Sequence, residues 1–386
     1  MTELFRHGLV IGKFYPPHSG HRFLIRAAAD SCEQVTVVVM AADVESIPLD
    51  QRVAWLCEDY RDRPQVTICG TIDNLEVDYD SDTTWDGHVA LMRAAVTASS
   101  PSGPPVDAVF TSEPYGAELA RRFGAADVRL DGERATFAVS GTKVRADPVA
   151  HWELLEPAVR AWFAKRVVVL GAESSGTTTL SRDLAAALRA RGGPHGRTAW
   201  VPEYGREFTM VKLAVTRARA KAQTEAQAQA EAGPAIVERP EPTIFDLEWS
   251  NADFAAVVER QTADEERAAR DGGPILVCDT DAFATVVWQE RYVGESTAEV
   301  RAHVAELPPR ALYILTDHAD VPFADDGLRD GEHLRPWMTG RFREVLAESG
   351  VPWIEVRGDC GSRLAQALDA VDGLLAEGWQ LADPLG

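Results

Sequence analysis

Basic side chains are scarce in this sequence: 39 lysines and arginines stand against 60 aspartates and glutamates, for a formal net charge of −21. That balance excludes a general nucleic-acid or anionic-membrane binder, since both partners demand basic surface. It leaves room for phosphate ligands, which a few local cations and backbone N–H groups hold on an otherwise acidic protein. Cysteine is scarce too. Cys32, Cys57, Cys69, Cys278 and Cys360 are scattered, odd in number and form no C-x-x-C pair. They fit neither a disulfide framework nor a zinc site and point to reduced thiols in a cytoplasmic protein. No apolar run reaches membrane-spanning length, and the opening MTELFRHGLVIGKFYPP lacks a secretory apolar core. The expectation is a cytoplasmic chain with neither nucleic-acid nor membrane partners.

The 386 residues suffice for two or three domains of roughly 150 residues each. Continuous β-branched runs alternate with amphipathic stretches. Gly8–Phe14, Gln34–Ala41, Gln65–Gly70 and Asp107–Thr111 read as strands, with helices over Ser19–Cys32, Asp50–Tyr60 and Trp85–Ser99 between them. A second series starts at Arg166–Leu170 and continues through Ala199–Pro202, Pro274–Cys278, Ala311–Thr316 and Trp353–Val356. This alternation predicts an α/β protein with two parallel-sheet domains, residues 1–148 and 166–386, joined by a helical link over 149–165. The Ser/Pro/Gly-rich stretch at 99–105 reads as a surface loop. The Ala/Gln/Glu-rich stretch at 214–232 reads as a solvated helix or a partly disordered insertion.

The first strand runs into Gly12-Lys13-Phe14-Tyr15-Pro16-Pro17-His18-Ser19-Gly20-His21. In open α/β sheets ligands bind at the carboxyl ends of strands, where helix N-termini present free N–H groups. Gly20 permits close approach of a ligand to the backbone. His18 and His21, three apart at a helix start, can face one side, and Lys13 adds charge beside them. At the far end of the same half lies Ser140-Gly141-Thr142-Lys143-Val144-Arg145. Ser140 and Thr142 suit a helix cap or phosphate oxygens, and the Arg145 fork matches a phosphate. Taken singly, each segment is as well explained by a capped surface helix.

Together, H-x-G-H after the first buried strand and S-x-T-x-x-R at the end of the unit resemble the nucleotidyltransferase superfamily. There, the two motifs meet on a nucleoside triphosphate. The resemblance implies a Rossmann-like nucleotidyltransferase fold. His18, His21, Lys13 and Arg145 would be catalytic, and Gly12, Phe14, Gly20, Ser140 and Thr142 would bind ATP. Over nearly the whole chain, GKFYPPHSGHRFLIRAA and the segment Asp107–Gly116 resemble the bifunctional nicotinamide-nucleotide adenylyltransferase/ribosylnicotinamide kinase family. That implies NMN as acceptor and NAD as product. Arg52 is a candidate for the acceptor phosphate and Trp85 for stacking on nicotinamide; a solvated helix face and a core tryptophan are the competing readings. The family's best-known members carry an N-terminal helix-turn-helix repressor domain. Here the sequence starts at the first strand, so DNA binding is not expected.

The second half opens with Gly171-Ala-Glu-Ser174-Ser175-Gly176-Thr177-Thr178, followed by Thr179, between a buried strand and a helix. That is the setting of G-x-x-x-x-G-K-[ST], a phosphate-cradling P-loop, except that Thr177 replaces the lysine. Thr178 keeps the place of the Mg²⁺-ligating hydroxyl. A P-loop kinase-like fold is expected. Asp279 and Asp281 follow the strand PILVC at a Walker-B position, and Asp279 joins Thr178 as a candidate metal ligand. Glu203 and Arg206 follow the second strand, where the family's substrate site lies. Asp325-Asp326-Gly327-Leu328-Arg329, with Arg335 and Arg341 downstream, resembles the lid of nucleoside kinases. An active kinase, a binding-only domain and a structural remnant all remain open.

The expected activity is adenylyl transfer from ATP to NMN with Mg²⁺, and ribosylnicotinamide phosphorylation in the second half. Adenylyl transfer to another phosphorylated acceptor is one alternative, and a nucleotide-sensing regulator with a non-catalytic kinase-like domain is another. The sequence is compatible with a homo-oligomer and specifies none.

Overall fold

A computed structural model of the chain describes residues 4–132, 136, 139–230, 240–319, 321–324 and 326–385. Asp325 lies outside the described residues, as do 231–232 at the end of the Ala/Gln/Glu-rich stretch. The chain divides into two compact units: Met1–Arg160 together with Glu377–Gly386, and Ala161–Ala376.

The first unit alternates β1 (Phe5–Gly12), α1 (Ser19–Ser31), β2 (Cys32–Ala41), α2 (Leu49–Asp59), β3 (Val66–Ile72), α3 (Asp82–Ser99), β4 (Ala108–Thr111), α4 (Gly116–Phe123), β5 (Ala126–Arg129) and α5 (Gly141–Ala146). The strands form one sheet in the order β3-β2-β1-β4-β5, every pair parallel. Successive residues on β1 point to opposite faces, and both faces are covered. Leu9 packs with Val38, Met40 and Trp85, whereas Val10 packs with Leu24, Ile25 and Val37. This is why the strand reads as an unbroken apolar run. The order reverses beside β1, so the crevice at the carboxyl ends of β1 and β4 is the place for a ligand.

Within the 149–165 stretch, a 3₁₀ turn at Trp152–Leu154 precedes α6 (Pro157–Phe163). The second unit continues with β6 (Lys165–Gly171), α7 (Thr177–Arg189), β7 (Ala199–Val201), α8 (Tyr204–Ala230), α9 (Asn251–Asp271), β8 (Ile275–Asp279), α10 (Thr285–Val293), α11 (Ala298–Ala305), β9 (Arg310–Thr316), α12 (Arg335–Glu348), β10 (Trp353–Val356) and α13 (Cys360–Glu377). Its sheet is again parallel, ordered β10-β9-β6-β8-β7, with β6 central. α8 carries the Ala/Gln/Glu-rich stretch as helix through Ala230. Among the described residues no helix is long and apolar enough to cross a membrane.

Leu9 is fully buried at the centre of the first sheet. Leu9→Ala should therefore lower the unfolding free energy of this unit by about 2–5 kcal/mol, the range for a buried leucine whose cavity does not collapse. Urea denaturation of the variant checks this, and a loss under about 1 kcal/mol would mean the sheet face is not sealed as described.

Candidate functional sites

The first site is built on the loop between β1 and α1. His18 is the N-cap of α1, with extended backbone, and its Nδ1 accepts the Gly20 N–H at 3.2 Å. The ring then lies flat on that of His21, with centroids 3.8 Å apart and planes 26° from parallel. Phe14 backs His21 at 4.8 Å. A Cβ on Gly20 would come within 3.1 Å of the His18 ring, so glycine keeps the helix start tight against it.

The second motif docks onto the same loop. Arg145 donates from Nη1 to the Tyr15 carbonyl at 2.7 Å and from Nη2 to Thr142 Oγ1 at 3.3 Å. Its guanidinium lies 4.8 Å from the Tyr15 ring centre. A Cβ on Gly141 would meet the same carbonyl at 2.9 Å, so α5 reaches the loop only because residue 141 is glycine. One cavity of about 240 Å³ is lined by residues of both motifs, among them Lys13, His18, His21, Thr142 and Arg145. Ser140 also borders it, but its hydroxyl accepts the Lys143 N–H at 3.2 Å and so caps α5.

Two sequence-based expectations need correction. Arg52 is wholly buried. It forms an ion pair with Glu45 at 2.7 Å, donates to the carbonyls of Ile47 and Lys13, and lies 4.3 Å from the Tyr15 ring centre. It braces the loop from behind, and its complete burial keeps it from an acceptor phosphate. Trp85 is a core residue of α3 whose Nε1 donates to the Tyr79 carbonyl. Sequence reading also missed Glu45, which pairs with Lys13 at 3.1 Å, and the segment 382–385. Lys13 donates to the Leu385 carbonyl, and Pro384 borders the cavity. No motif marks either.

In the second unit the altered P-loop leaves β6 at Gly171, where a Cβ would lie 2.3 Å from Thr316 Oγ1. Ser174 and Gly176 take positive φ of 57° and 95° before α7 starts at Thr177. Ser175 is buried and ties the loop to Ala172 and Thr316, at 2.6 Å each. Ser174 faces residues 324 and 329: its hydroxyl accepts the Ala324 N–H at 2.8 Å and an Arg329 N–H at 3.2 Å. Glu173 accepts the Gly331 N–H at 2.9 Å and pairs with Arg291, and Arg206 pairs with Asp326. A cavity of about 130 Å³ collects Thr177, Thr178, Glu203, Arg206 and Arg329 beside an aromatic wall. In that wall Trp249 and Tyr292 stack at 5.0 Å.

Other expected residues sit elsewhere. Asp281 touches the cavity wall, but its carboxylate is buried against Arg310 at 2.9 Å and Tyr313 at 3.2 Å and accepts the Ala284 N–H. It holds the fold together. Arg335 donates to the carbonyls of His318, Val321 and Ser174, bracing the loop's back. Arg341 pairs with Glu290 and Glu344, not with the loop. Thr179 is exposed on α7. Arg363, which no motif signals, is buried under the loop and donates to the Ser175 carbonyl at 2.7 Å.

The model of the AAA domain family matches residues 166–363, a little over half of the chain. The chain belongs to that family. Over 96% of its length it is homologous to NadR: the "trifunctional NAD biosynthesis/regulator protein NadR" of Escherichia coli and that of Salmonella typhimurium are each 24% identical to it, over 83% of their own length. Two crystal structures share its fold. A NadR protein in complex with NR superposes with a TM-score of 0.66 at 22% identity, covering 99% of this chain and 98% of that one. A NadR protein in complex with NAD and AMP-PNP superposes equally well at 21% identity, covering 99% and 100%.

Electrostatics single out two carboxyls at the AAA-family loop. Asp279 is raised by burial and held down by the hydroxyls of Thr178 and Thr177. Its Oδ1 is buried with no hydrogen-bond partner among the described residues. An orphaned carboxylate oxygen beside a hydroxyl suits one corner of a hard divalent cation whose other ligands are phosphate and water. No group of three or more His, Cys, Asp or Glu side chains forms a metal cage among the described residues. Glu203 opens onto the cavity but is walled in by protein. That enclosure, with Asp279 nearby, pushes its pKa up to about 8 against the pull of Arg206 and Arg329.

Because its folded pKa lies above the unfolded value, the group binds more protons when folded. Its contribution is present at acid pH and lost as pH rises through about 8. Glu203→Gln should flatten the fall in thermal stability between pH 6 and pH 8.5 relative to the parent. An unchanged difference between those two pH values would show that Glu203 is not enclosed.

Proposed function

We propose that the first unit transfers an adenylyl group from ATP to nicotinamide mononucleotide, giving NAD and pyrophosphate, and that the second phosphorylates ribosylnicotinamide. One observation carries the first assignment: the stacked pair His18/His21 and the pair Thr142/Arg145 border a single cavity at the carboxyl ends of β1 and β4. Homology to proteins named for NAD biosynthesis, with relatives solved holding NR, NAD and AMP-PNP, supports the choice of substrates. In domain terms, the division into 1–148, 149–165 and 166–386 gives the transferase, the link and the kinase-like part, except that 377–386 belong with the first unit.

The acceptor's phosphate is already anionic, so no protein base or nucleophile is needed. An acceptor oxygen bonds to the α-phosphorus of ATP as the bond to the pyrophosphate oxygen breaks. The two imidazoles donate to oxygens around the reacting phosphorus. Lys13, Thr142 and Arg145 hold the β,γ end, so that alignment and charge complementarity supply the rate. Mg²⁺ carried on the phosphates, when bound, offsets part of their charge.

In the second site the wall of Trp249, Trp288 and Tyr292 suits a cationic pyridinium ring. Glu203, poised at about 8, takes the proton of the attacking hydroxyl as the γ-phosphoryl leaves ADP. Thr178 and Asp279 are the residues for the divalent ion. The cradle lacks the point charge of a P-loop lysine. Arg329, hydrogen-bonded to Ser174 within the loop itself, and Arg206 are the cations that take its place.

Purified protein supplied with ATP and a panel of phosphorylated acceptors should release pyrophosphate fastest with NMN. His18→Ala and His21→Ala should each lower kcat/KM by about 10²–10³-fold, the usual loss for a donor to a developing anion. A faster rate with any other acceptor refutes the substrate assignment. Binding of ATP and NMN without turnover, with the histidine changes altering affinity alone, would make the unit a sensor. In the second unit Thr177→Lys should keep or raise ribosylnicotinamide phosphorylation, Arg329→Gln should lower it, and the double variant should recover toward the parent. Abolition by Thr177→Lys would give that threonine a role of its own.

A further inference from the structure

After α13 ends at Glu377, the segment that follows clusters with the first unit. Ala382 ties it there by both its backbone groups: the Ala382 N–H donates to Ser46 Oγ at 2.8 Å, and the Ala382 carbonyl accepts the Tyr15 hydroxyl at 2.8 Å. Tyr15 in turn accepts the Ser46 N–H at 2.9 Å. From that anchor the next residues reach the cavity. The Leu385 carbonyl accepts a hydrogen bond from Lys13, whose ammonium also pairs with Glu45. Pro384 forms part of the cavity border, and the Asp383 carboxylate acts electrostatically on the Arg145 guanidinium.

The two cations assigned above to the phosphate end therefore both face negative groups from one short segment. A carbonyl oxygen and a carboxylate offer these side chains acceptor oxygens, as the phosphoryl oxygens of a polyphosphate would. Each backbone hydrogen bond at Ala382 and Leu385 gives only a modest net attraction, and residues 382 and 383 are exposed. Such a segment can be displaced by a stronger anion. A ligand that must displace it binds with an apparent affinity reduced by the fraction of molecules in which the site is open.

We propose that residues 382–385 are a built-in competitor for the triphosphate and set the affinity of the first site for ATP. The Leu385 carbonyl occupies Lys13, and the Asp383 charge acts on Arg145 from nearby, until phosphate oxygens replace them. The proposal rests on the reading that these two cations bind phosphate. It opposes the alternative that the segment is a wall of the closed site and strengthens binding, which predicts effects of the opposite sign.

The test uses the full chain with two substitutions outside the phosphate-binding residues. Ala382→Pro removes the N–H that holds Ser46, and Asp383→Asn removes the charge facing Arg145. The KM for ATP is read from pyrophosphate release with NMN, a product that phosphoryl transfer in the second unit does not yield. Both changes should lower it, by roughly three- to tenfold, with kcat unchanged or raised. A KM that rises or stays the same in Asp383→Asn, the variant with an intact backbone, overturns the proposal.

Hydrogen exchange supplies a readout that needs no turnover. Adding ATP to the parent protein should speed exchange in the peptide covering 380–385, whereas slower or unchanged exchange there overturns the proposal. If no preparation releases pyrophosphate with any acceptor, the adenylyl-transfer reading fails, and the exchange experiment still decides whether ATP displaces the segment.

Discussion

The hydrogen bond from Arg145 to the Tyr15 carbonyl, 2.7 Å long, joins segments 130 residues apart, and the first site depends on it. Two guanidiniums, of Arg52 and Arg145, lie within 4.3 Å and 4.8 Å of the Tyr15 ring centre. Arg52 is locked from behind by Glu45 and the Ile47 carbonyl. Gly141 lets the helix that carries Arg145 approach the loop to within contact of its backbone. The loop is thereby fixed from both sides, and the His18/His21 stack at its end is held in one orientation. Chemistry that depends on alignment more than on a reactive side chain needs this kind of rigidity.

The second unit is also a five-stranded parallel sheet, but its second and third strands exchange places in the strand order. Its P-loop keeps the positive-φ turns and the buried serine that shape a phosphate cradle, yet its lysine position is a threonine whose hydroxyl turns to Asp279. The loop is instead held from several sides by arginines: Arg335 and Arg363 on its carbonyls, Arg291 on Glu173 and Arg329 on Ser174. Three of these four brace backbone or a carboxylate. Arg329 reaches both the loop and the cavity. The buried cluster of Arg310, Glu265 and Asp281 underlies the sheet nearby, with Arg310 bonded to both carboxylates. Asp281 is therefore a support residue in spite of its position one turn past the strand.

Much of this was legible in the residues. The continuous apolar runs of β1, β2, β6 and β9 mark strands buried on both faces, and an alternating series of such strands and helices admits few arrangements other than parallel sheets. The glycines at 20, 171 and 176 mark turns or close approaches that a side chain would obstruct. β5 escaped notice because its four residues, Ala126–Arg129, are mostly exposed and carry no apolar run.

What the sequence by itself determined is local: which stretches are strand or helix, where helices begin, and which short patterns present phosphate-binding groups at those beginnings. Such features depend on residues a few positions apart, where backbone sterics and side-chain periodicity act directly. Only the tertiary structure decided which charged groups remain open to a ligand. Arg52 and Asp281 are closed off by partners from other elements, and Lys13 and Arg145 share a cavity edge with residues near 385. A charge carries no sign of its partner until the chain brings the two together, because Coulomb attraction depends on distance in space and on burial, not on separation along the chain.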